Sequence, residues 1–237
     1  LNFTIEEYVQ ILNDCLYETV THLDSKSYDN CDNKAREMVK SIRLILKERP
    51  WGKNNEGYNN ILILAIIFQS LIDLMEIVRL TRYERWFDDT KLVERLWIKL
   101  FDCKERVLFS QKHLVEHFYT FLLTNIKKLE EVFKHNWGDS LYMSVELIYD
   151  PICNICAKDI RTCEHLVNEI YNGRLCKIIR RNLDVRSSNV VYKPHDYRCR
   201  IWPWNINTSG NNENLVNTTF EAALFTFFTV DDFLEGE

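Results

Sequence analysis

Apolar residues recur at helical spacing through the first 136 residues of the chain. Ile5, Tyr8, Val9, Leu12, Leu16, Val20 and Leu23 follow one another at the intervals that build one helix face. Thr4 with Glu7 three residues later is a capping-box signature, so a helix is predicted over 4–24. A second is predicted from about Asp32 to Lys47, closing before Pro50, whose ring disfavours helical backbone in the residue ahead of it. Residues 59–83 predict a long, deeply buried helix. Its most apolar run, Ile61 to Ile72, is 12 residues long and is interrupted by Gln69 and Ser70, too short a run to span a bilayer. A fourth helix is predicted over 89–109, with Leu92, Val93, Leu96, Leu100 and Val107 facing inward, and a fifth over 111–135. Five helices with short connections imply a bundle.

The pattern changes after Asn136-Trp137-Gly138-Asp139. Residues 140–149 partly alternate and carry the strand formers Tyr142, Val145, Leu147 and Ile148. Further short strands are expected at 176–179, at 190–192 and around 200–202. Residues 205–214 are rich in Asn, Ser and Gly and read as a surface loop. Residues 215–234 are apolar and aromatic (Phe220, Leu224, Phe225, Phe227, Phe228, Phe233) and are expected to pack on the body or on a partner.

Between these strands lies the densest chemistry of the chain. Cys153 and Cys156 form a CxxC knuckle, and Cys163 and His165 follow as a CxH pair. Thiolate and imidazole donors at this spacing suit tetrahedral zinc. Cys176 comes eleven residues after His165, beyond the turn Tyr171-Asn172-Gly173, so five candidates compete for four places. A closed set of four protein ligands is structural, because catalytic zinc keeps a position for water. The expected cofactor is therefore zinc in a structural role, with no catalytic residue assigned.

The expected fold class is thus α+β, mainly α. A helical bundle over 1–136 precedes a zinc-binding module over 137–237, with short strands and an aromatic, acidic tail. Composition supports this. Only 6 glycines and 4 prolines occur in 237 residues, fewer than the turns of a sandwich or barrel require, while 46% hydrophobic content supplies a core. Four of the eight cysteines crowd into 153–176 and the rest are scattered, unlike a secreted disulfide framework, so a reducing cytoplasm is expected. Residues 1–25 carry acidic groups and lack a basic start, so neither a signal peptide nor membrane association is expected.

Net charge is −5, which favours no polyanionic partner for the chain as a whole, but the charge is unevenly spread. Residues 157–200 hold ten Lys/Arg against five Asp/Glu, whereas residues 201–237 hold six acidic residues and no Lys or Arg. Arg174, Lys177, Arg180, Arg181, Arg186, Lys193, Arg198 and Arg200 are interleaved with Tyr192, Tyr197, Trp202 and Trp204. Cations among aromatics can hold single-stranded nucleic acid. The bland alternative pairs these cations with the acidic tail or the acidic bundle.

Three further patterns bear on enzymatic function. Glu164-His165 after a CxxC knuckle resembles an HNH-type nuclease, in which the His activates water. Cys163 immediately before the pair, and the lack of a second CxxC or a downstream Asn/His pair, depart from that pattern. His113, Glu116 and His117 match the inverted HxxEH zincin motif, which on a helix would put both His on one face. Glu146 and Glu169 are available as a third ligand, but neither has a marking context, and two polar histidines on a bundle helix is the simpler reading. The chain has no Gly-rich phosphate loop and no GxSxG elbow.

Residues 149–201 resemble a module of uncharacterised bacterial and phage-associated proteins. The matching elements are Tyr149-Asp150-Pro151, Cys153/Cys156, Cys163/His165, Tyr171-Asn172-Gly173, Cys176, Asn189-Val190-Val191, and Pro194 through Arg200-Ile201. Ala157 stands where that pattern has Gly, and Asn172 where it has Asp. The segment after Cys176 is also distantly similar to the closing strands of tailed-phage head-maturation proteases, without their catalytic residues. The resemblance implies phage biology or bacterial defence and no particular activity. The expected function is a non-enzymatic binding or adaptor protein with a protein partner, anchored by Trp202, Trp204 or Phe228. The alternative is nucleic-acid binding through Arg174, Lys177, Arg180, Arg181, Arg198 and Arg200, or a divergent HNH-like nuclease.

Overall fold

The computed structural model describes residues 3–83 and 85–205. Five helices come first: α1 (Ile5–Asp24), α2 (Tyr28–Glu48), α3 (Gly57–Leu80), α4 (Thr90–Phe109) and α5 (Glu116–Trp137). A small sheet region follows, with β1 (Leu141–Cys153), β2 (Ile170–Tyr171), β3 (Arg174–Leu175), β4 (Ile178–Val191) and β5 (Arg200–Ile201). The class is α+β and mainly α. The aromatic tail with Phe220, Leu224, Phe225, Phe227, Phe228 and Phe233, and nearly all of the 205–214 loop, lie outside the described residues.

Local chemistry sets the helix ends. The Glu7 N–H donates to Thr4 Oγ1 at 3.2 Å and the Thr4 N–H to Glu7 Oε2 at 2.7 Å, a complete capping box. α2 closes at Arg49, which turns left-handed (φ 47) just ahead of Pro50. Asp89 caps α4 by accepting from the Leu92 N–H at 3.1 Å.

α3 is the central element, and Tyr58, Ile61, Leu62, Ile66, Phe68 and Leu71 on it are fully buried. At 24 residues it is long and apolar enough to cross a bilayer, but 83% of its most apolar stretch is buried inside the molecule. Its one buried carboxylate, Asp73, meets Arg106 and, at 3.6 Å, Lys99, both on α4. Burial pushes the Asp73 pKa up although both cations pull it down.

The fifth helix is not continuous from residue 111. Ser110–His113 form a 3-10 turn, Leu114 and Val115 are extended, and α5 starts at Glu116. At the break the Ser110 side chain donates back to Arg106 O at 2.8 Å, a bond that bends helices, and the Leu114 N–H makes the last helical bond, to Ser110 O at 3.0 Å, before the backbone turns extended. Leu114 can then pack on the core. His113 and His117 therefore sit on different elements, beside Phe109 and Phe118 respectively, and the one-face reading of HxxEH is corrected.

β1 and β4 form a long antiparallel ribbon, paired from Tyr142↔Val191 to Cys153↔Ile178. Two irregularities interrupt it, and at the second Asn182 is left-handed (φ 51) and donates to Asp150 Oδ2 at 2.6 Å. β5 pairs only with Leu141 and Tyr142 at the base of the ribbon. The separate short strands predicted at 176–179 and 190–192 overlap the two ends of one continuous strand, β4, with Cys176, Lys177 and Tyr192 outside it. Residues 180–189 lack an apolar alternation because both their faces meet solvent.

The ribbon is tied to the bundle at both ends. At its base Tyr142, Val191, Trp202 and Trp204 join the core around Trp86, Trp97, Phe133 and Trp137. At its far end the Gly173 N–H donates to Asn59 Oδ1 at 2.7 Å, Arg49 Nη1 to Asn172 O at 3.3 Å, and Lys112 Nζ pairs with Glu169 Oε1 at 2.7 Å. Between these ties, Val145, Leu147 and Ile148 do not reach the core.

Candidate metal centre

The far end of the ribbon is where the candidate sulfur ligands meet. β1 delivers Cys153, fully buried, and the chain then turns back tightly. The Ala157 N–H donates to Cys153 O at 2.8 Å, the Cys153 N–H to Lys158 O at 2.8 Å, and the Ile155 N–H points at Cys153 Sγ at 3.4 Å. Ala157 completes this knuckle in the left-handed region (φ 59), a conformation that favours glycine.

The next loop folds back over the strand. The Ile160 N–H donates to Pro151 O at 2.8 Å, and Asp159 O accepts from the Thr162 and Cys163 N–H groups, each at 3.1 Å. The Asp159 carboxylate receives the Arg161 N–H and guanidinium, which hold its pKa down at about 2. This loop carries Cys163 to the knuckle. The β2–β3 hairpin flanks it, with Asn172 (φ 50) and Gly173 (φ 73) in the conformation of a two-residue type I′ turn. Its Tyr171 ring stands edge-on to His165 at 4.6 Å, and Tyr171 Oη accepts the Leu166 N–H at 2.9 Å.

Ligand atoms of Cys153, Cys156, Cys163 and His165 all lie within 4.8 Å of one another. This cluster of three sulfurs and one imidazole can hold a metal ion. His165 Nδ1 is buried and has no hydrogen-bond partner among the described residues, as expected of a ring oriented by something other than protein. Cys176 is completely buried and its Sγ is 3.8 Å from Cys153 Sγ, but it is not one of the four mutually close donors. Burial opposes ionisation of Cys153, but N–H groups of Cys156 and Ile155 aimed at its sulfur lower its pKa. Burial and the neighbouring thiols push Cys163 up and Cys176 up to about 12. Mutual repulsion of the thiolates is what a divalent cation would relieve.

The remaining predicted residues divide into two groups. Arg174, Arg180 and Arg181 are exposed and Lys177 is half-buried, and Arg180 lies over the Tyr149 ring at 5.2 Å. Arg198 and Arg200 instead turn into the body and leave the candidate nucleic-acid face. Arg198 meets Asp102 at 2.5 Å, Glu105 at 2.6 Å and Asp196 at 2.8 Å. Arg200 is held between the rings of Trp97 (4.8 Å) and Trp202 (4.3 Å) and faces the carbonyl oxygens of Trp137 and Gly138. Trp202 is itself buried and Trp204 donates to Glu94, so these two tryptophans hold the ribbon base instead of presenting anchors. Glu164 is exposed and lies outside the donor cluster, while the partner it would need in an HNH site, His165, lies inside it.

Sequence reasoning missed Asn154. Its Nδ2 donates to Leu175 O at 2.9 Å, its Oδ1 accepts the Lys177 N–H at 2.8 Å, and its own N–H donates to Lys177 O at 3.2 Å. The only signal for this clamp was an amide side chain inside the knuckle. Comparison of the chain with family models, with curated proteins and with solved structures gives no match.

Proposed function

We propose that this chain is a zinc-stabilised, non-enzymatic binding protein, in which a structural zinc secures one end of the β1–β4 ribbon and the ribbon receives a protein partner. Three thiolates and an imidazole favour zinc over the hard, oxygen-seeking divalent ions, and four protein donors leave no position for water. The observation that carries the binding role is the ribbon itself. Ile179, Leu183, Val185 and Val190 on β4 are 41%, 52%, 59% and 52% exposed. Strand edges with exposed apolar side chains are templates for an added strand, and a two-stranded ribbon is marginal without further cover. The resemblance of residues 149–201 supports a place in a bacterial defence or phage-related complex in the reducing cytoplasm.

The test is capture from native cells with wild-type protein and with a Val185→Glu/Val190→Glu variant. A stoichiometric protein partner lost by the variant, with its zinc retained, is the expected result. A partner that survives both substitutions, or none with wild type, overturns the reading.

The exposed pair Arg180 and Arg181 favours nucleic-acid binding as a second reading. It requires salt-sensitive retention of a single-stranded oligonucleotide that is lost on reversing both charges, and salt-independent or absent binding contradicts it.

A further inference from the structure

Cys176 is left over from the donor cluster, yet its surroundings are those of a ligand. We propose that Cys176 is a reserve ligand, which takes the fourth position when His165 gives it up, so that the centre alternates between three-sulfur, one-nitrogen coordination and four-sulfur coordination. The proposal rests on the zinc reading above and adds a second coordination state to it.

Distance is the first support. With Zn–S bonds of about 2.3 Å, two sulfurs on one tetrahedral zinc are separated by about 3.8 Å. Cys153 Sγ and Cys176 Sγ are 3.8 Å apart. Cys176 therefore already stands one tetrahedral edge from a donor that both coordination states share.

Positioning is the second. The backbone on either side of Cys176 is held by Asn154, a residue of the CxxC knuckle itself, through the three hydrogen bonds to Leu175 and Lys177. The Cys176 N–H donates to Glu169 O at 2.8 Å, and its carbonyl accepts the Asn168 N–H at 2.9 Å. The thiol is thus fixed against Cys153 by protein contacts alone. His165 is held more loosely, for its neighbours Glu164, Leu166 and Val167 are exposed and its ring rests on Tyr171 through an edge contact. Tyr171 and Cys176 flank opposite ends of one hairpin, so departure of the imidazole leaves Cys176 anchored in place.

The exchange balances without another reactant. The bond from zinc to the His165 nitrogen breaks, a bond from zinc to Cys176 sulfur forms, and the thiol proton passes to the departing imidazole. Ions more thiophilic than zinc, such as cadmium, would draw the four-sulfur state.

Cobalt(II) is the probe, because its visible and charge-transfer bands report the number of sulfur ligands. Wild type and Cys176→Ser should each bind one cobalt with the same three-sulfur spectrum. His165→Ala should still bind one cobalt, with a four-sulfur spectrum, and the His165→Ala/Cys176→Ser double variant should lose stable binding. Wild type without cobalt uptake overturns the zinc reading and this proposal with it. Wild type that binds cobalt beside a His165→Ala protein that does not overturns this proposal alone. A Cys176→Ser spectrum poorer in sulfur than wild type also overturns it, by making Cys176 the resident ligand. Should His165→Ala fail to fold, cadmium-113 resonances decide. Wild type is expected at a four-sulfur shift that Cys176→Ser moves upfield, and identical shifts overturn the proposal.

Discussion

Ala157 is the residue at which the knuckle carries its backbone strain, at φ 59. An L-residue in the left-handed region costs roughly 1–2 kcal/mol, partly offset by the lower chain entropy of alanine in the unfolded state. Ala157→Gly is expected to raise stability by about 0.5–1 kcal/mol in urea unfolding of the metal-loaded protein, and a loss would contradict the left-handed assignment. Arg198 makes the opposite point. Its guanidinium meets three carboxylates and is about nine-tenths buried, with 10% of the side chain exposed. Arg198→Ala strands Asp102, Glu105 and Asp196 and is expected to cost roughly 3 kcal/mol, read from the same denaturation midpoint. A change under about 0.5 kcal/mol would mean that the cluster is solvated. Charge counting could not separate Arg198 and Arg200 from Arg180 and Arg181, because composition says how many cations a segment has and not which way they turn.

At the scale of elements, legibility followed local signals. α1 was readable to its first residue because the capping box is a four-residue pattern, and Thr4→Ala is expected to cost about 1 kcal/mol. The Asn172-Gly173 turn was readable for the same reason. The break between α4 and α5 was not, because it depends on where Leu114 finds the core. β4 was the largest miss. A strand with neither face buried carries no period-two pattern, and its pairing partner is more than twenty residues away from it in the chain. The same exposure yields a prediction for the element. Val185→Glu and Val190→Glu should each leave the unfolding midpoint within about 0.5 kcal/mol of wild type, since those side chains bury little within the chain. A larger loss would place them in a contact that the isolated fold does not have.

Across the whole molecule, bundle and metal region are joined by the ribbon and by its two ties. The bundle has its own core around α3, whereas the loops from Cys153 to Lys177 have few buried apolar side chains, chiefly Leu175 and the partly covered Ile170. Metal binding would supply the folding free energy that such a segment lacks. Chelation with 1,10-phenanthroline is therefore expected to leave far-ultraviolet helix signal largely intact while amides of Cys153–Lys177 lose hydrogen-exchange protection. Collapse of the helix signal would mean that the bundle depends on the metal as well. The donor set was legible because all four residues lie within one short stretch of sequence, whereas the Asn154 clamp and the depth of Cys176 emerge only from the fold.

A structural zinc at Cys153, Cys156, Cys163 and His165 would be counted by elemental analysis of protein purified without added metal. One zinc per chain is expected, absent from Cys153→Ser together with the ordered ribbon end. A folded, fully reduced wild-type protein that contains no zinc and takes up none would contradict it.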